Sequence, residues 1–191
     1  MEIKIEELRP FYTCIYGTSL DLDTKPVLDK IYQSKSENSG VEISNRNGWQ
    51  SNSSIRIWSW MKTPVEYIVN VLKPIYKTYG ISSDPILQNY WYNINGRGCY
   101  NTEHAHPHCW FSVVWYLKVP ENSGEIVFAR PDTLRQSIWV DNLTEHNQAE
   151  FRIMPKENTL IAFPSYLRHS VEQNLTNDSD ADRVSIAFNF Q

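Results

Sequence analysis

Cysteine is scarce in this chain, with three thiols, Cys14, Cys99 and Cys109, in 191 residues. They are odd in number and far apart, which excludes a disulfide framework and leaves no C-x-x-C pair for zinc binding or thiol exchange. Long apolar runs are also missing, so no bilayer-spanning helix is expected. The opening stretch, MEIKIEELRP, has no apolar signal core. With the unpaired cysteines, this gives the expectation of a soluble protein in a reducing compartment, the cytoplasm. The glycosylation sequons at Asn52, Asn142, Asn174 and Asn177 are then chance products of an Asn- and Ser-rich chain. Clustered basic charge is absent too. Lys and Arg number 18 against 22 Asp and Glu, a net charge of -4, and no Lys/Arg run marks a groove for phosphates. Nucleic acid is therefore not favoured as a partner.

What remains is a globular composition, 41% apolar and 13% aromatic, of a length suited to one domain. Residues 25–34, KPVLDKIYQS, form a short amphipathic helix in this reading, with Val27, Leu28 and Ile31 on one side. The stretch 44–51, SNRNGWQS, combines turn chemistry with an extended segment. Residues 63–80 form the strongest helical pattern. Thr63 is placed to cap it, Pro64 sits at its first position, Pro74 is placed to kink it and Gly80 suits its end. Val65, Ile68, Val69, Leu72 and Ile75 supply its apolar face. After residue 85 short β-rich runs follow one another: LQNYWYNIN, CWFSVVWYLKV, GEIVFAR, EFRIMP, NTLIAFP, LRHSVEQN and RVSIAFNF. This spacing predicts an antiparallel sandwich or barrel. The expectation is a single domain over 1–191, mainly β, in which a helical and irregular part (1–85) packs on a β core (86–191).

The segment YNTEHAHPHCW, residues 100–110, carries three of the five histidines at alternate positions. On a strand, His104 and His106 would lie on one face roughly 7 Å apart, close enough to share a transition metal. Pro107 should break the ladder just beyond them. His108 is then expected to turn away, and His146, among polar residues, to be a loop residue. A lone H-x-H is weak evidence for a metal, because surface pairs are common. The later stretches strengthen it. FPSYLRHSVEQN places His169 early in a strand, and RVSIAFNF places Arg183 and Ser185 on one face of the last strand. Arg183 opens an apolar strand and needs a partner. A carboxylate in a structural ion pair and a bound anion are both open. Trp91, Trp110 and Trp115 flank the candidate site in sequence and are read mostly as core.

This order of motifs, H-x-[D/E], then His, then R-x-S, resembles the Fe(II)/2-oxoglutarate-dependent oxygenases. GWQS, YNTEHAHP, FSVVWYLKVPENSGEIVF, LIAFPSYLRHSV and RVSIAFNF are similar to a group of such oxygenases from phages and bacteria, in which H-x-H-P replaces H-x-D. WYL resembles the prolyl-hydroxylase branch. The resemblance implies a double-stranded β-helix of jelly-roll or cupin-like form. It also implies Fe(II) and 2-oxoglutarate as cofactors, and dioxygen and an unidentified substrate as partners. If the source is viral, the location is the host cytoplasm. By position, His104 and His169 would be metal ligands and His106 would take the carboxylate's place, leaving the metal one unit more positive. Arg183 would hold the far carboxylate of 2-oxoglutarate, helped by Tyr116 and Ser185. Glu103, on the opposite strand face, is an alternative ligand only if it swings inward. The polar stretch QNLTNDSDAD reads as a hairpin excursion joining His169's strand to a neighbouring strand that carries Arg183. Two other readings stay open. One is a catalytically silent metal-binding jelly roll. The other is a cupin-like three-His dioxygenase without 2-oxoglutarate, which would make Arg183 a structural ion pair.

Overall fold

The computed structural model describes residues 12–132, 141–178 and 181–191. Two antiparallel sheets face each other. The elements in chain order are β1 (Tyr16–Ser19), α1 (Lys25–Glu37), β2 (Asn45–Arg46), β3 (Trp49–Gln50) and α2 (Lys62–Thr78). They continue with β4 (Leu87–Asn95), β5 (Tyr100–His104), β6 (Phe111–Lys118) and β7 (Ile126–Ala129). The last four are β8 (Glu150–Ile153), β9 (Thr159–Pro164), β10 (His169–Val171) and β11 (Arg183–Phe190). The larger sheet has the order β1-β9-β6-β11-β4-β3, and the smaller β2-β5-β10-β7-β8. From β4 onward the chain crosses between the sheets, the winding of a double-stranded β-helix. The mainly β fold expected from the strand spacing is the one observed.

Period-two alternation decides what each face of the larger sheet does. Tyr90, Tyr92 and Ile94 of β4, Val113, Trp115 and Leu117 of β6, and Val184, Ile186 and Phe188 of β11 join one buried cluster with both helices. Val27 and Ile31 of α1, and Val65, Ile68, Leu72 and Ile75 of α2, complete it. Each fully buried aliphatic or aromatic side chain contributes about 1.5–3 kcal/mol, so the helices are held chiefly by this face. The alternate residues, Trp91, Asn93 and Asn95 of β4, Tyr116 of β6, and Arg183, Ser185 and Ala187 of β11, turn inward and line a cavity between the sheets.

Three expectations change. First, α2 begins at Lys62, directly after a 3₁₀ turn over Ser59–Met61, so Thr63 lies within the first turn and makes no cap. Gly80 does follow the helix, at φ +71°, where glycine escapes the Cβ clash of the left-handed region. Second, β10 is not a neighbour of β11. It pairs with β5 and β7, whereas β11 pairs with β4 and β6, so the two strands face each other across the sandwich. Third, the stretch joining them is a crossover, not a solvent hairpin. Asn174 is fully buried. Its amide donates to the carbonyls of Asn95 and Ala181, and the backbone of 174–175 bonds to Gly98, Cys99 and Asn122. The crossover is therefore tied to the end of β4 and to the turn that follows it.

Candidate active site

β5 and β10 are adjacent, and His104 lies directly opposite His169 in their register. Both imidazoles therefore face the cavity. His106 lies beyond the end of β5, its backbone N–H donating to the Ser165 carbonyl at 2.9 Å. The ring centroids stand 4.3 Å apart for His104 and His169, 5.0 Å for His104 and His106, and 5.1 Å for His106 and His169. One nitrogen from each ring lies within 4.8 Å of the others. Burial holds all three below the ordinary imidazole range, to about 4 for His106 and about 3 for His169; the neighbouring rings add to this for His106 and His169, and the Arg168 charge for His104. The rings are thus neutral at physiological pH, as metal ligation requires. The Nδ1 of His104 meets the Thr102 carbonyl at 2.8 Å, and that of His169 the Leu167 carbonyl at 3.0 Å. These contacts place the N–H on Nδ1 and leave Nε2 with the lone pair.

Other sequence expectations fall out clearly. His108 is exposed, with φ +68°, and His146 is an exposed loop residue. Glu103 lies on the outer strand face, and Arg168 Nε donates to its Oε1 at 2.7 Å, which holds it away from the histidines. Trp115 is fully buried against the helices, Trp91 lines the cavity, and Trp110 is 54% exposed. Only Trp115 is core.

The second half of the cavity is built on β11, β6 and β4. Arg183 is 3% exposed. Its Nη1 donates to the carbonyls of Ser123 and Gly124 at 2.8 and 3.2 Å. Gly124 has φ +88°, and a Cβ there would stand 2.5 Å from the Glu172 carbonyl, so glycine is required where the chain turns beneath the guanidinium. Among the described residues no carboxylate pairs with Arg183, and burial pulls its pKa down. Ser185 shares its face and stands opposite Tyr116 across β6. Burial pushes the Tyr116 phenol up to about 12, with Arg183 opposing, so it remains a hydroxyl donor. Neither hydroxyl has a hydrogen-bond partner among the described residues. The cavity has a volume of about 40 Å³ and is partly open to solvent.

A family model described as "Putative 2OG-Fe(II) oxygenase" matches residues 89–189, just over half of the chain. The chain belongs to the 2OG-Fe(II) oxygenases. No curated protein matches the sequence of this oxygenase. Its fold is similar to that of a prolyl-4-hydroxylase from Pseudomonas putida, with TM-score 0.65 and 13% identity over 94% of this chain and 92% of that one. It is also similar to HygX from Streptomyces hygroscopicus, solved with nickel and 2-oxoglutarate bound, with TM-score 0.59 and 10% identity over 93% and 82%. A 2OG-Fe(II) oxygenase-family oxidoreductase from Burkholderia pseudomallei matches over 66% of this chain, which spans only 55% of that protein, with 19% identity and TM-score 0.48.

The sequence reading of this oxygenase missed the β4 side of the cavity. Asn93 stands opposite Ser185, and Gln50 of β3 opposite Asn93. A polar row thus runs Gln50, Asn93, Ser185, Tyr116 across four strands. The buried side-chain oxygens of Gln50, Asn93 and Asn95 have no hydrogen-bond partner among the described residues. Amides on alternate positions of an otherwise apolar-aromatic strand, LQNYWYNIN, were the available signal.

Proposed function

We propose that this oxygenase holds Fe(II) through His104, His106 and His169 and 2-oxoglutarate through Arg183, Tyr116 and Ser185. With dioxygen it would hydroxylate an organic substrate, releasing succinate and carbon dioxide. One observation carries the reading: a buried guanidinium without an acidic partner faces the same cavity as three neutral, converging imidazoles. A buried charge left uncompensated is costly, so an anionic occupant is the natural partner. A three-His dioxygenase without cosubstrate would need an acid beside Arg183, and none is paired with it among the described residues.

The donor set fits the group. Nitrogen ligands suit Fe(II), and Ni(II) and Zn(II) compete by the usual affinity order. Bound iron and 2-oxoglutarate supply the oxygen activation and the oxidative decarboxylation. The chain supplies position and a secluded cavity. Arg183, anchored through Nη1, keeps Nη2 and Nε for the far carboxylate. Tyr116 and Ser185 add hydroxyl donors beside it. His104 and His169 present fixed Nε2 atoms. No helix among the described residues is long and apolar enough to cross a membrane. The proposal extends to a cytoplasmic location and to one domain spanning the whole chain.

Anaerobic titration of Fe(II)-loaded protein with 2-oxoglutarate tests the reading through the chelate's visible charge-transfer band. A charge-assisted contact of this kind is worth about 1.5–3 kcal/mol, roughly ten- to hundredfold in affinity. Arg183→Ala should weaken 2-oxoglutarate by that factor with metal content unchanged, and Lys at 183 should rescue only part. Parental affinity in a folded Arg183→Ala protein would remove the assignment. Metal retention without succinate formation would favour the silent jelly roll.

A further inference from the structure

The three imidazoles are not held alike. His104 and His169 stand on paired strands, and each has its Nδ1 against the backbone carbonyl two residues earlier. His106 lies past the strand end, followed by Pro107 and a left-handed residue at 108. Neither of its ring nitrogens has a hydrogen-bond partner among the described residues. Outside the triad, the aromatic ring that packs on it among the described residues is Trp91, with ring centroids 5.3 Å apart at 45°. Trp91 is placed by β4, opposite Ala187 of β11, the small residue that leaves the indole room over the cavity.

An imidazole ligand gains orientation and basicity when its other nitrogen donates to a carbonyl or carboxylate, and loss of such a partner typically costs about 10–100-fold in metal affinity. We propose that His106 is the exchangeable arm of the three-imidazole site, and that Trp91 is its positioning residue, holding the ring by packing where hydrogen bonds hold the other two. The metal is then anchored at two points and closed at a third by a ring free to swing aside. This inference rests on the metal-site assignment above. It concerns the position at which this chain carries histidine instead of a carboxylate.

Co(II) serves as the probe. In the proton NMR spectrum of the Co(II)-loaded protein, a ligand imidazole N–H gives a hyperfine-shifted line that is seen only when its exchange with water is slow. Two such lines are expected, from His104 and His169. Three slowly exchanging lines would overturn the proposal. Co(II) affinity, measured by competition with a chelator, is the second readout. His104→Ala and His169→Ala should each lose about a thousandfold or more, and His106→Ala only about tenfold, in line with an arm lacking its outer partner. Trp91→Leu should match His106→Ala, and the double variant should lose no more than either alone. Trp91→Phe should keep most of the parental affinity. A merely structural tryptophan would instead make the two losses multiply, or would lower thermal stability without changing Co(II) affinity, and either result would overturn its role. An affinity loss in His106→Ala as large as in His104→Ala would make it a full anchor. If no histidine variant altered Co(II) binding, the metal site itself would fail, which is a different result from failure of the exchangeable arm.

Discussion

Asn93 shows how a single side chain would extend the proposed cosubstrate site. On β11, Ser185 stands between Tyr116 on one neighbouring strand and Asn93 on the other, and all three line the cavity that holds Arg183 and the histidines. The Asn93 carboxamide is nine-tenths buried, with its oxygen unpaired. Asn93→Asp replaces a group that can donate with an anion of the same shape, in the cavity proposed for a dicarboxylate. It should weaken 2-oxoglutarate binding about a hundredfold, well beyond the roughly tenfold loss of one neutral hydrogen bond expected for Asn93→Ala. Calorimetry on Ni(II)-loaded protein checks this without turnover, and equal affinities in parent and Asn93→Asp would remove Asn93 from the site. The histidines and Arg183 were legible in the sequence because charge or metal-binding capacity is conspicuous on an apolar strand. Asn93, Asn95 and Gln50 were not, because a neutral amide on a strand is equally at home in a turn, at a sheet edge or on a wet face. Only the register shows them to be inward and unpaired.

At the level of elements, β-rich runs separated by turns marked the strands, and β4 and β11 run over the same residues as two of those runs. The partnership between strands was not legible. A polar stretch after His169 suits a hairpin or a crossover equally, and the buried role of Asn174 depends on contacts with residues far along the chain. Nothing in NLTNDS distinguishes that asparagine from an exposed one. Asn174→Ala would orphan the Asn95 and Ala181 carbonyls and the Thr176 N–H. An unsatisfied buried polar group costs about 1–3 kcal/mol, so urea unfolding should show a loss of at least that size. Because Arg183 directly follows this crossover, 2-oxoglutarate affinity should fall as well. An unchanged urea midpoint would show that the Asn174 contacts contribute nothing to stability. Conversely, β1 went unrecognised because its four residues, YGTS, alternate only between half-buried and exposed positions. The sheet edge offered by β9 organises it more than its own composition does.

For the molecule as a whole, the cluster of neutral imidazoles links folding to pH. The folded-state pKa of each is depressed below the ordinary value. The unfolded chain therefore binds more protons below about pH 6.5, and stability is lost as pH falls through that value toward the folded pKa values. For His169, which is 4% exposed, the slope is about 1.4 kcal/mol per pH unit until its folded pKa is approached. Metal-free protein should thus show a melting temperature that drops between pH 6.5 and 4, and saturating Ni(II) should raise it at pH 7 by mass action. A melting temperature independent of pH over that window, in a protein that still binds Ni(II), would mean that the rings are solvated when empty. The buried crossover has a consequence of a different kind. It is the length of chain between His169 on β10 and Arg183 on β11, and Asn174 ties it to the end of β4. The two strands, one in each sheet, thus share a single tether, and slack in it would let one sheet drift against the other.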